Sequence, residues 1–166
     1  DELAELSKAT YGDAQLEDMQ NLVEDKILDE IKGRPDLQVT EKTALTKSRR
    51  GQGLFRERVL EVEPRCRLTG ISNLALLIAS HIKPWARCST NSERLDQNNG
   101  LMLTPTVDRL FDLGYITFTG EGDILVSREM SGSDLSLLGL SEIKNVGAFS
   151  DHQEEYLFYH RERIFR

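Results

Sequence analysis

The chain has 166 residues, 39% hydrophobic and 30% charged, which suits one domain with a modest core or one domain plus an appendage. No run of about 18 apolar residues occurs, which excludes a membrane-spanning helix and predicts no membrane partner. The net charge of −7 argues at first against nucleic acid, but it is unevenly spread: residues 1–41 carry −8, residues 42–94 carry +7 and residues 95–166 carry −6. A basic block inside an acidic chain reads either as a phosphate-binding surface or as a solvated helix face, and charge alone does not choose between them. Cys66 and Cys88 are the two cysteines. They form no CxxC pair, which excludes a zinc ribbon, argues against a disulfide framework and fits a reducing cytoplasm. The opening Asp1-Glu2-Leu3 reads neither as a signal peptide nor as an initiator Met, which predicts a segment cut from a longer protein.

In chain order, residues 14–32 predict an amphipathic helix. Leu16, Met19, Val23, Ile27 and Ile31 recur at helical spacing, giving a packing face for the rest of the domain or for a second copy, a possible homodimer. Residues 40–63 predict a second helical region interrupted or kinked around Gly51-Gln52-Gly53. It carries Lys42, Lys47, Arg49, Arg50, Arg56 and Arg58, with Leu54, Phe55, Val59 and Leu60 as its core side, and Pro64 stops it. Cys66 to Gly70 reads as a short strand and turn. The apolar run Leu74 to Ile82 reads as a buried strand or short helix leading into His81. Residues 88–99 are polar and loop-like, and 101–103 form a short strand. Thr104 or Thr106 and Pro105 start a helix over 107–113 that ends at Gly114. Residues 115–119 and 124–127 form a β-hairpin about a Gly-rich turn. Residues 131–141 are loop-rich, and Ser150 caps a last helix over 151–163.

Three positions carry chemistry together: His81 where an apolar strand meets a polar loop, Asn99 before the second strand, and Asp108 in the first turns of the next helix. A histidine can take a proton from water near neutral pH. A carboxylate on a neighbouring helix can hold a hard divalent cation, which stabilises charge on a phosphate under attack. That is a set sufficient for phosphodiester hydrolysis.

At these residues the sequence resembles the HNH endonuclease family. Ile78-Ala79-Ser80-His81-Ile82-Lys83-Pro84-Trp85 is similar to its first motif, Arg94 to Leu103 to its central Asn motif, and Thr104 to Gly114 to its metal helix. Arg50-Gly51-Gln52-Gly53-Leu54-Phe55, Cys66-Arg67-Leu68-Thr69-Gly70 and Tyr156 to Arg161 resemble members of the restriction-type branch. The resemblance covers roughly residues 42–166. It implies an α+β fold with a small ββα-metal core, flanking N- and C-terminal helices and a β-hairpin. It divides the chain into an extension or linker over 1–41, with the possibility of dimerising, and a nuclease domain over 42–166. His81 is implied as general base, Asn99 as the residue that pins the loop (Asn98 being the rival by one register) and Asp108 as ligand to a divalent cation, Mg²⁺ or Mn²⁺ first, with other divalent ions as the alternative.

Two departures stand out. The third motif residue, commonly His or Asn, is Asp108, still a competent oxygen ligand. Many members place a metal ligand just before the base, and here that residue is Ser80, a poor ligand. Asp112 shares the helix face of Asp108 and either assists the metal or serves as a cap or salt bridge near Gly114. Lys83, Trp85 and Arg87 are candidate phosphate contacts, with Arg49, Arg50 and Arg56 from the basic block, although Trp85 also suits a core. His152 and His160 read as structural or surface groups.

The function implied is metal-dependent cleavage of double-stranded DNA to 5′-phosphate and 3′-hydroxyl ends, in a restriction or phage-defence protein. Two other readings remain open: a non-catalytic DNA-binding or assembly module on a decayed nuclease fold, motivated by Ser80 and Asp108, and a helix-mediated interaction domain, motivated by the stripe over 16–31.

Overall fold

A computed structural model of the chain describes residues 33, 35 and 39–166, and for 39–50 the backbone alone. The amphipathic helix expected over 14–32 lies outside the described residues, as do the side chains of Arg49 and Arg50. Leu54–Arg166 is a compact unit and holds every candidate site residue from Arg56 onward.

Helix α1 spans Val39–Val62. Residues 51–53 are helical, so of the interruption or kink expected at Gly51-Gln52-Gly53 the interruption does not occur. Each helical glycine costs about 1 kcal/mol relative to alanine. Burying Phe55 and Val59, both all but inaccessible, returns about 1.5–3 kcal/mol per side chain and outweighs that cost. Cys66 to Gly70 is a turn without a strand. The Gly70 N–H donates to the Cys66 carbonyl at 2.8 Å and the Cys66 N–H to the Ile71 carbonyl at 2.9 Å, so the chain reverses at Gly70, whose φ is +72°, before a strand can pair.

Strand β1 is Ile78–His81 and β2 is Gly100–Leu103. They pair antiparallel with Ser80 opposite Leu101 and His81 opposite Gly100. The segment between them, expected as loop, contains helix α2 over Asn91–Arg94, capped by Thr90, and a 3₁₀ turn over Gln97–Asn99, capped by Asp96. Helix α3 comes next at Pro105–Asp112, with Pro105 in its first turn. Gly114 ends it at φ +73°. A Cβ there would also lie 2.1 Å from the Ile164 carbonyl oxygen, so both conformation and space require glycine. Strands β3, Ile116–Phe118, and β4, Ile124–Val126, form the expected hairpin. Helix α4, Gly132–Leu137, occupies the stretch expected to be loop-rich. Helix α5, Asp151–Arg163, begins at Ser150 with a reciprocal capping box to Gln153.

Side chains alternate across a strand pair, and residues directly opposite share a face. Ser80 and Leu101 therefore face one way, and His81 and Gly100 the other. α3 packs on β1 and β2, while Phe55 and Val59 of α1 lie against Gly100. With both faces covered, all four residues of β2 are buried. The order strand, strand, helix, with helices flanking on either side and a second hairpin beyond, is an α+β architecture, as expected.

Two polar networks cross this core. Glu63, 2% exposed, accepts from Arg67 Nη2 at 2.6 Å and from Gln153 Nε2 at 2.8 Å. Arg67 also donates through Nη1 to the carbonyls of Gly147 and Ala148, so one carboxylate ties the end of α1 to the approach to α5. His160, 1% exposed, donates from Nε2 to the Phe111 carbonyl at 3.1 Å and accepts at Nδ1 from the Thr117 hydroxyl at 2.9 Å. Its ring stacks on Phe111 at 3.8 Å. Burial, opposed by the Phe111 carbonyl bond, pushes the His160 pKa down to about 4, so the ring is neutral in the folded protein.

Both networks make stability testable. Glu63→Ala strands Arg67 and Gln153 and should cost about 2 kcal/mol in urea denaturation, moderated because Arg67 keeps one side in water; Glu63→Gln should cost less. For His160 the unfolded state binds the extra proton first. Its contribution is full above about pH 6.5 and is lost as pH falls toward about 4,. The wild-type melting temperature should therefore drop more steeply than that of His160→Gln across this window; parallel curves would refute the assignment.

Candidate active site

The loop between β1 and β2 is built around Asn99, which is wholly buried. Its Oδ1 accepts from the Lys83 N–H at 2.7 Å, and its Nδ2 donates to the Glu93 carbonyl at 3.1 Å and the Lys83 carbonyl at 3.3 Å, with Cys88 Sγ at 3.4 Å. The 3₁₀ turn that carries Asn99 is fixed by Asp96, which accepts from the Asn98 N–H and, through Oδ2, from the Tyr156 hydroxyl at 2.8 Å. Asn98 thus serves the turn, while Asn99 reaches across the loop.

His81 closes β1 and faces α1. Its Nε2 lies 2.9 Å from the Arg94 carbonyl oxygen. A carbonyl can only accept, so Nε2 carries the proton and Nδ1 is left with its lone pair. Among the described residues Nδ1 has no hydrogen-bond partner. The ring is stacked on Phe55 and edge-on to Trp85. Burial lowers the His81 pKa, opposed by the Arg94 carbonyl, so the imidazole is the neutral, proton-accepting form. That state suits a general base.

Ser80, one residue earlier, turns the other way, toward α3. Its Oγ is buried without a hydrogen-bond partner among the described residues. Asp112 remains largely exposed, yet the protein around it and then the Asp108 charge raise its pKa, with the Ser80 hydroxyl and Arg109 opposing. Ser80, Asp108 and Asp112 therefore form one cluster of oxygen donors, although Ser80 closes no hydrogen bond of normal geometry. No group of three or more His, Cys, Asp or Glu side chains poised for a metal occurs among the described residues. Two carboxylates one helical turn apart and a neighbouring hydroxyl are oxygen donors of the kind that a hydrated divalent cation accepts.

The sequence-derived residues thus fall into two subsets on opposite faces of β1: His81 and Asn99 with the loop, and Ser80, Asp108 and Asp112 with α3. Several basic candidates are already engaged. Lys83 Nζ is paired with Glu93 at 2.8 Å. Arg56 donates to the Leu74 and Leu77 carbonyls, both at 2.7 Å, bracing the approach to β1. Arg87 is exposed at the end of the Trp85–Arg87 turn, and Trp85, 38% exposed, is not a core residue. Glu93, Cys88 and the Phe55 contact with His81 were not foreseen from sequence. No local motif marks them, since each acts on a residue brought near by the loop or by α1. For Asn99→Ala, which leaves the Lys83 N–H and two carbonyls unmatched in a closed loop, the expected loss is about 2 kcal/mol. Faster amide exchange should be confined to residues 83–99; a uniform change over the domain would speak against a local pin.

The family model described as HNH endonuclease matches residues 66–119. No curated protein matches the chain. Among solved structures, a modification-dependent TagI restriction endonuclease is similar at 17% identity and a TM-score of 0.36, over 70% of this chain and 36% of that one. The chain therefore spans about a third of that protein's length. The matched segment holds β1, β2, α3 and β3, with His81, Asn99 and Asp108 among its residues, and over that segment, about a third of the chain, the protein is similar to HNH endonucleases.

Proposed function

We propose that the chain is a metal-dependent endonuclease that hydrolyses phosphodiester bonds in double-stranded DNA, with residues 42–166 as the cutting domain and 1–41 as an extension. The observation that carries this reading is the His81 tautomer. With Nε2–H committed to the Arg94 carbonyl at 2.9 Å, the free nitrogen is the one able to accept a proton, in a ring that burial keeps neutral.

In this mechanism the scissile phosphate sits at the C-terminal end of β1, between the two subsets of residues. Nδ1 of His81 removes a proton from a water molecule as its oxygen bonds to phosphorus. The bond from phosphorus to the 3′-oxygen breaks, leaving a 5′-phosphate, and the 3′-oxygen takes a proton from solvent. Asn99 keeps the loop closed so that the Arg94 carbonyl stays under the imidazole. Asp108 and Asp112, with Ser80 beside them, would hold Mg²⁺ or Mn²⁺; when bound, such an ion supplies positive charge that stabilises the phosphate and the departing oxygen. Arg87, Arg49 and Arg50 are the proposed phosphate contacts, along with Lys83 once it exchanges Glu93 for phosphate. A role in restriction or defence and a cytoplasmic setting complete the proposal. A second reading, a DNA-binding module without catalysis, is motivated by Ser80, a poor ligand, beside the histidine and by Asp108 at the third motif position.

Plasmid cleavage in Mg²⁺ or Mn²⁺ separates the two. Wild type should cut and EDTA should abolish cutting, while His81→Ala should lose about a hundredfold or more, the usual worth of a general base. Asp108→Ala should require more metal for the same rate. Cutting that persists in His81→Ala, or in EDTA, would end the proposal, and folded wild type that binds DNA but never cuts would support the module.

A further inference from the structure

His81 needs its ring plane fixed as well as its protonation state. The torsion that turns an imidazole about its bond to Cβ is broad, so the rotamer does not set the plane. The bond from Nε2 to the Arg94 carbonyl limits that rotation only in part, because Nε2 lies close to the axis of the Cβ–Cγ bond. The missing constraint comes from α1: the Phe55 ring lies parallel to the imidazole, with centroids 3.6 Å apart and planes within 8°. Trp85 meets the imidazole edge-on at 5.7 Å and 84°.

The approach of Phe55 depends on the residue paired with His81 across the strands. That residue is Gly100, whose φ of −139° and ψ of 152° suit any amino acid,. Conformation therefore does not demand glycine here, but space does. A Cβ at position 100 would come within 2.8 Å of Phe55 Cζ and 2.2 Å of Val59 Cγ2. Any side chain would push α1 away from the strands and lift the aromatic ring off the histidine.

We infer that Phe55 is a positioning residue for His81, a flat platform that sets the plane of the imidazole and the direction of Nδ1, and that Gly100 provides the space for it. This inference rests on the reading of His81 as general base, and it reaches outside the 66–119 segment to helix α1. Leucine or methionine at position 55 would fill similar volume but offer no flat face. Misplacing a reacting group by about 1 Å can cost up to about a hundredfold in rate.

The test compares wild type, Phe55→Leu and Phe55→Met in the full chain, with thermal melts to show that each is folded. In wild type, nitrogen-edited NMR should show His81 as a single Nε2–H tautomer, slow to exchange, with its carbon-bound ring protons shifted upfield by the Phe55 face. In both variants the upfield shift should disappear and the Nε2–H signal should broaden or exchange. Plasmid cleavage should then lose about tenfold in kcat with KM nearly unchanged, since substrate contacts are untouched. The inference is overturned if wild-type His81 shows no upfield shift, or if the variants keep the single protected tautomer and wild-type kcat. A wild type that cuts nothing would defeat the nuclease reading alone, because the NMR comparison still decides whether Phe55 holds the ring. Should neither variant fold, the wild-type spectrum decides by itself.

Discussion

The amide of Asn99 closes the loop between β1 and β2, and the arrangement of the site depends on it. Eighteen residues separate the His81 strand end from its Gly100 partner, and a loop of that length has no reason of its own to hold one shape. Asn99 presents both ends of its amide to the two sides of the loop, accepting from the Lys83 N–H while donating to the Lys83 and Glu93 carbonyls. Because the group is wholly buried, water cannot compete for these bonds, and opening the loop would leave several polar groups unmatched at about 1–3 kcal/mol each. The carbonyl of Arg94, one residue beyond Glu93, is thereby held where His81 can donate to it. The tautomer of the candidate base is thus set by a side chain that never touches it.

The basic stretch over 42–94 gains a different meaning in the folded chain. Arg56, Arg67 and Arg94 donate to main-chain carbonyls or to a buried carboxylate, and Lys83 is paired with Glu93. Several of its charges therefore serve as struts between loops that lack regular hydrogen bonding. Guanidinium groups suit this role, since one planar fork can satisfy two carbonyls at once. A positive segment in an acidic chain can thus serve as internal bracing, and only contacts reveal which of its charges do so.

Covering both faces of a two-stranded sheet is what gives so small a unit a core. α3 covers the Ser80 side and α1 the His81 side, and β3, α5 and the capped turn before β2 lock around them. Neighbouring positions on β1 are thereby assigned different surroundings: Ser80 is enclosed with carboxylates nearby, and His81 lies between aromatic rings. Strand alternation alone produces that division, and it places an oxygen-donor cluster and a proton acceptor at the end of the same strand.

Much of this was legible in the amino-acid sequence. The last helix with its Ser150 cap, the helix ended by Gly114, the hairpin about the Gly-rich turn and the strand before His81 are local matters, decided by capping, backbone preference and alternation. His81, Asn99 and Asp108 could be singled out as candidates for the same reason, since their spacing is carried by short contiguous segments. The sequence misled where distant burial outweighed local preference. Gly51 and Gly53 did not break α1, because Phe55 and Val59 anchor it against Gly100. Cys66 to Gly70 found no strand partner, and the polar stretch before Asn99 folded into capped turns. Only the tertiary structure decided which nitrogen of His81 is free, which arginines are occupied, that Ser80 lies with Asp108 and Asp112, and that Phe55 lies under the histidine. Each of these is a contact between residues far apart in the chain, fixed by packing and by the need to satisfy buried polar groups.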